Sequence, residues 1–404
     1  MNAGDYRMVA QTLHGLEEVL RAELLRLGAR DLERHNRAVS FTGDQGFMYK
    51  ANLCLRTALR VLVPVDSFDL RSNDELYHAI KRIPWEDFMG VEDTFLFKVT
   101  LNTPYLDHAQ FAAQKAKDAV ADRFRGKFGV RPSVDTVDPT LRIHVHINQE
   151  RCTVSLDSSG GSLHQRGYRG ETNAAPLNEV LAAGMVLLSG WDKRSALVDP
   201  MCGSGTIPIE AALLAANIPP GYYRKQFGFQ RWNDYDAELW GTIYNAAVDK
   251  ITGDLPIILG ADGNRLTTRK AKDTVREAKL DDAVKIQGTL FQDLIPPAER
   301  GMLILNPPYG VRMDERGIGA DGSEQDINAM YKMIGDTLKH RWAGWTAWIL
   351  TSNMEAAKHI KLTPKPKIQL FNGALDCRFL RYEMYAGSRR LTPPPAAADT
   401  TSQP

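Results

Sequence analysis

Asn306, Pro307, Pro308 and Tyr309 follow directly on the apolar run 302–305, and Gly310 closes the group. The two prolines fix φ and stiffen the loop. They also carry no N–H, so the main chain there offers carbonyl oxygens alone. The Asn306 side-chain oxygen and the Pro307 carbonyl can then accept both protons of a planar amino group. An exocyclic base amine is a weak nucleophile, because its lone pair is delocalised into the ring. Two acceptors favour a pyramidal nitrogen and expose that pair. Tyr309 supplies a face on which a base can stack. With a reactive methyl donor, positioning replaces a strong general base. The competing reading is a rigid turn with a packed tyrosine.

A second motif lies upstream. Val198, Asp199, Pro200, Met201, Cys202, Gly203, Ser204, Gly205 and Thr206 end a short apolar run and open the helical stretch 207–216. Gly203 and Gly205 allow a tight turn and close approach of a ligand to the backbone. The helix start adds free N–H groups and positive potential. A dinucleotide fingerprint needs a third glycine, and Pro208 stands in its place; no Gly-Lys-Ser/Thr follows either. An acidic residue ahead of the glycines suits S-adenosylmethionine, with Asp199 holding its amino group. Asp262, after 257–261, is placed to accept from ribose hydroxyls, or to cap the next helix. Asp293, after 284–291, is placed to accept from an adenine amino group, or to serve a turn.

These loops need strands to carry them. Strands are expected at 196–200, 257–262, 284–291, 302–307, 346–351, 368–371 and 378–384, mostly separated by helices. That alternation predicts a doubly wound parallel sheet, ending in a hairpin turned at Asn372–Gly373. Ahead of it, helices at 12–28 and 109–124 mix with strands at 38–42, 94–100, 141–147 and 152–156, an α+β block. The aromatic segment 222–240 reads as a packed flap bordering the active site. The tail 388–404, rich in Pro, Ala, Ser and Thr, is expected to be disordered.

Composition narrows the function classes. With 404 residues, 43% hydrophobic and 25% charged, the chain reads as a multidomain globular protein. No apolar run spans a bilayer and no secretory signal opens the chain, so a cytoplasmic protein is expected. The four cysteines, Cys54, Cys152, Cys202 and Cys377, form no CxxC pair, and no metal is expected. A net charge of +1 leaves nucleic-acid affinity to local patches. One candidate is Lys115, Lys117, Arg123, Arg125, Lys127 and Arg131, interleaved with Phe124 and Phe128; a solvated helix face is the alternative. Arg166, Tyr168 and Arg169, between the blocks, are candidates to guide RNA.

The order of these motifs resembles class I S-adenosylmethionine-dependent amino-methyltransferases. Ser158 to Arg169, Ala175 to Glu179, Asp199 to Glu210, Phe227–Gly228–Phe229, Asn306 to Gly310, and Asn372–Gly373 with Leu375 to Cys377 sharpen the match. Together they resemble bacterial 23S rRNA guanine-N2 methyltransferases of the RlmL type. The resemblance implies a ferredoxin-like and THUMP RNA-binding module at 1–165, and a Rossmann-like, seven-stranded class I methyltransferase domain at 166–387. It implies that Pro176 and Leu177 lie over the methionine end of the donor. It places Met201 to Thr206, Asp199, Asp262, Asp293 and Asn306 at the donor, and Asn306 to Tyr309 at the target base. The implied substrate is 23S rRNA or a ribosome assembly intermediate, acted on by a monomer or weak oligomer. Guanine-N2 methylation of tRNA and adenine-N6 methylation of DNA are the alternatives. Some relatives carry a second methyltransferase domain, and a second activity is not expected here. Relatives often have an acidic residue where this chain has Asn264.

Overall fold

The computed structural model describes residues 4–169, 177–310 and 324–385. The first block builds one mixed sheet among its described residues. The strands are β1 (Tyr6–Gln11), β2 (Arg30–His35), β3 (Ala38–Gly43), β4 (Arg60–Asp69), β5 (Thr94–Asn102), β6 (Ser133–Val134), β7 (Leu141–Asn148) and β8 (Arg151–Asp157). They run in the order β2-β3-β1-β4-β8-β7-β5-β6. The long strand β4 pairs with β1 on one side and β8 on the other, so it joins two half-sheets. The register shifts between Pro64 and Asp66, where proline offers no N–H to the ladder. Helices α1 (Glu17–Leu27), α2 (Gln45–Cys54), α3 (Asn73–Arg82) and α4 (Ala109–Phe128) complete the block. The expected hairpin at 141–156 forms as β7 and β8.

The helix expected from Thr12 begins only at Glu17. Thr12 is committed elsewhere: its N–H donates to the Arg37 carbonyl and its hydroxyl to the Thr57 carbonyl. Gly15, at φ 88°, turns the chain into the helix. Leu16 is consequently not part of the helical face; it packs into the core of the second block. It fits there because residue 184 is glycine: a Cβ at 184 would lie 2.6 Å from the Leu16 methyl carbons.

The second block contains α5 (Glu179–Leu188), β9 (Ala196–Asp199), α6 (Thr206–Ala215), α7 (Ala237–Val248), β10 (Ile258–Ala261), α8 (Arg265–Glu277), β11 (Val284–Gln287), β12 (Gly301–Leu305), α9 (Glu324–Arg341), β13 (Thr346–Thr351), α10 (Met354–Lys358), β14 (Lys367–Asn372) and β15 (Leu375–Glu383). Its strand order is β11-β10-β9-β12-β13-β15-β14. The first five are parallel; β15 runs antiparallel between β13 and β14. This is the expected seven-stranded Rossmann-like sheet with a terminal hairpin. Most strand bounds fall within two residues of expectation, and two strands depart further. The strand from Val284 stops at Gln287, ahead of Gly288, and Phe291–Asp293 is a 3-10 turn. The last strand begins at Leu375, directly after a tight turn with Gly373 at φ 63°.

The aromatic segment 222–240 does not border the active site. Phe227, Phe229 and Trp232 join the first block's core, and Phe229 stacks on Tyr49 at 4.3 Å. Gly228 makes this docking possible: a Cβ there would lie 2.6 Å from the Asp157 carbonyl oxygen and 2.7 Å from the Gly160 nitrogen. The SSGG and FGF stretches are therefore two halves of one backbone-to-backbone contact.

Two buried arginines tie the blocks together around α6. Arg166 reaches Glu210 on α6 through Nε at 3.0 Å and Nη2 at 3.1 Å, and donates to the carbonyls of Leu163 and Arg56. Arg56 in turn donates to the Leu213 and Ile218 carbonyls at the end of α6. The Arg166 and Glu210 side chains are 1% and 0% exposed. Arg166 is thus a structural tie and not an RNA guide, and Tyr168 is likewise buried. Arg166→Met strands a buried carboxylate, which costs about 3–5 kcal/mol. Urea denaturation is expected to show that loss, and the double change Arg166→Met with Glu210→Leu to recover most of it.

On α4, Arg123 is spent on Glu86, at 2.7 and 2.6 Å, and Lys127 on the same carboxylate at 2.7 Å. The two cations hold the Glu86 carboxyl down at about 2, with hydrogen bonding from Arg123 the main cause. Phe124 is buried and Phe128 exposed. That end of the basic stretch reads as a folded ion-pair cluster. Among the described residues no helix is long and apolar enough to cross a membrane. The expected tail lies outside the described residues.

Candidate active site

The sheet's connectivity decides where chemistry can happen. From β9 the chain moves outward to β10 and β11, then crosses back to β12 on the other flank of β9. The carboxyl ends of β9 and β12 therefore border the switch point of the sheet, where a crevice opens. Both motif loops sit there: the glycine turn after β9 and the Asn-Pro-Pro-Tyr loop after β12. A cleft of about 1070 Å³ is lined by both.

The glycine turn is built by its backbone. Gly203 and Gly205 have φ of 54° and 82°, the left-handed region that glycine adopts without penalty. Gly205 caps α6, and a Cβ at Gly203 would meet nothing within 4 Å, so the turn is open on that side. Two hydrogen bonds fasten it to the end of β10: Cys202 N–H to the Ala261 carbonyl at 2.9 Å, and Gly203 N–H to Asp262 Oδ2 at 3.1 Å. Cys202 packs against Gly260, where any Cβ would lie 3.1 Å from its Sγ. Met201, Cys202, Gly203, Ser204 and Thr206 line the cleft.

Asp199 lies at the floor, 1% exposed. Its Oδ1 accepts from the Met201 N–H at 3.2 Å, and it has no cationic partner among the described residues. Burial pushes its carboxyl well above the usual carboxylate range, and the charge of Asp262 adds to the effect. A buried carboxylate facing open space fits a ligand that brings a positive charge.

Asp262 lines the cleft with one oxygen on Gly203 N–H and the other accepting from Asn264 N–H at 2.8 Å. It is not the cap of α8. Asn264 is, accepting from Leu266 and Thr267 N–H. Each Asp262 oxygen thus holds one backbone N–H and has acceptor capacity in reserve. Phe291 and Gln292 line the far end with Leu290. Asp293 is exposed and is not among the lining residues. Leu177 lines the cleft, while Pro176 lies outside the described residues.

In the β12 loop, Asn306, Pro307, Pro308 and Tyr309 all line the cleft. Tyr309 does not stand free as a stacking platform. The residue is 9% exposed, and its hydroxyl donates to Asn306 Oδ1. Burial raises the phenol above its ordinary value, so it remains a neutral donor. The acceptor expected for an amine is thus occupied by the protein's own hydroxyl. Asn353, after β13, donates from Nδ2 to the Tyr309 carbonyl at 3.3 Å and caps α10. This support was not legible from the sequence, because it comes from the next strand end.

Arg169 also belongs to the cleft. Its Nη2 donates to Thr206 Oγ1 at 2.5 Å, and its Nε lies 3.3 Å from Glu179. Among the described residues no group of metal-ligating side chains converges.

Comparison with known proteins agrees with this architecture. Residues 7–62 match the RlmL ferredoxin-like domain, 71–157 the THUMP domain, and 166–381 the RMKL-like methyltransferase domain. A Synechocystis sp. protein named as a candidate RNA methyltransferase is 38% identical over 93% of this chain and 96% of its own length. The ribosomal RNA large subunit methyltransferase K/L of Syntrophotalea carbinolica is 39% identical over 92% of this chain, which spans only 52% of that relative. The solved structure of SMU.472, a candidate methyltransferase complexed with SAH, superposes at a TM-score of 0.83 with 29% identity, covering 96% of this chain and all of that one. Ferredoxin-like and THUMP units followed by this methyltransferase fold, matched over more than nine-tenths of the chain by such relatives, establish that the chain belongs to the RMKL-like methyltransferase family.

Proposed function

We propose that this protein methylates the exocyclic N2 amino group of a guanine in 23S rRNA, with S-adenosylmethionine as donor. One observation carries the reading: the Asn-Pro-Pro-Tyr loop and the glycine turn meet in a single cleft at the sheet's switch point. The THUMP match at 71–157 and the names of the relatives favour RNA as the polymer. The residues fit the donor. Asp199 takes the ammonium group, the Gly203–Ser204 backbone lies against the amino-acid end, Asp262 takes the ribose hydroxyls, and Leu290 to Gln292 enclose the adenine, with Asp293 just outside. When bound, the sulfonium presents an electrophilic methyl group to the β12 loop. Pro308, the exposed residue of that loop, leaves a path for a base. The incoming amine displaces the Tyr309 hydroxyl, donating one N–H to Asn306 Oδ1 and the other to the Pro307 carbonyl. Stacking by Tyr309 further requires its ring to turn out of the second block's core into the cleft. The proton shed on methylation leaves to solvent.

Purified protein with labelled donor is expected to modify 23S rRNA lacking its own methylation, and nuclease digestion to release N2-methylguanosine. Label found only in tRNA moves the assignment to that substrate. N6-methyladenine in DNA, or label in protein alone, overturns it.

A further inference from the structure

We propose that Arg169 holds the carboxylate of the methyl donor's amino-acid end, a proposal that rests on the cofactor reading above. That end carries an ammonium and a carboxylate. Asp199 answers the first, and nothing assigned so far answers the second. Among the described residues the charged groups lining the cleft are Arg169, Lys270, Asp199, Asp262, Asp273 and Glu277, so two described cations compete for the role. Lys270 lies on α8, with Asp273 and Glu277 one and two turns farther along, beyond the strand end assigned to the ribose. Arg169 lies at the other end. It is bonded to Thr206, the first residue of α6 and the next after the glycine turn.

Its geometry suits an anion. Thr206 fixes Nη2, Glu179 flanks Nε, and the Tyr168 ring lies 5.7 Å from the guanidinium carbon. The side chain is 12% exposed, and the buried Nε makes no hydrogen bond among the described residues. A guanidinium held rigidly with donor capacity in reserve is preorganised for a carboxylate. Burial raises the Glu179 carboxyl even beside Arg169, so this pair is poorly solvated as it stands. The N-terminus of α6 adds positive potential on the same side. A purely structural role is redundant, because Arg166 and Arg56 already clamp α6 to the first block.

The test is calorimetric binding to the full chain of S-adenosylmethionine and its decarboxylated analogue, which keeps the ammonium and lacks only the carboxylate. The wild type is expected to bind the analogue about 10–100-fold more weakly. Arg169→Met is expected to weaken S-adenosylmethionine by a similar factor and the analogue hardly at all, so the variant no longer distinguishes them. Arg169→Lys should recover part of the discrimination. Equal weakening of both ligands in Arg169→Met, or unchanged binding of both, overturns the proposal. A wild type that binds neither ligand brings down the cofactor reading itself.

Discussion

Asn306→Ala is expected to reduce single-turnover methyl transfer about 10²–10³-fold while leaving the affinity for S-adenosylhomocysteine unchanged. The side chain acts late. It adds nothing to the glycine turn, whose bonds run to Ala261 and Asp262. Its oxygen is bonded in the structure to the Tyr309 hydroxyl alone among the described partners, and the incoming amine takes over that bond. The effect therefore falls on the chemical step and not on donor binding. Loss of donor affinity in the variant would mean that the β12 loop shapes the cofactor cleft and does not grip the target.

The second large effect concerns Asp199. Asp199→Asn is expected to weaken S-adenosylmethionine about 100-fold, the loss typical when one member of a desolvated charge pair is removed. The unliganded variant should nevertheless be more stable than the wild type at neutral pH. The sign follows from the raised carboxyl. Its folded value lies above the unfolded one, so its contribution to stability is intact at low pH and is lost as pH rises through the folded value. Asparagine carries no such loss, and the gap between the two proteins should close as pH falls into the ordinary carboxylate range. Donor binding runs oppositely, because the ammonium selects the ionised carboxylate. Wild-type affinity should fall as pH drops through the raised value, with proton release visible as buffer-dependent binding enthalpy. The variant should show neither. Urea melts and calorimetry across pH check both halves.

Much of this was legible in the sequence for a physical reason. The chemistry sits in loops anchored to strand ends, and those strands are short apolar runs with Gly and Pro at their borders, as at Val198–Gly205 and Leu305–Gly310. The hairpin turn at Gly373 was equally plain. What escaped was everything that depends on partners distant in sequence. Leu16 looked like a helical residue and packs across the molecule into a space left by Gly184. Phe227 and Phe229 looked like an active-site flap and complete the other block's core. Arg166 and Arg123 looked available to RNA and are consumed by Glu210 and Glu86. Side-chain pairing across 37 residues or more leaves no local periodicity to read. Asp262 differs for two reasons: one oxygen is taken by the distant Gly203 N–H, and the capping role passes locally to Asn264.

A co-crystal structure with S-adenosylhomocysteine tests the central claim most directly. The account predicts the homocysteine amine on Asp199, the ribose at Asp262, and the sulfur facing the mouth formed by Asn306 and Pro307. A ligand seated elsewhere, or a sulfur turned away from that corner, would contradict it.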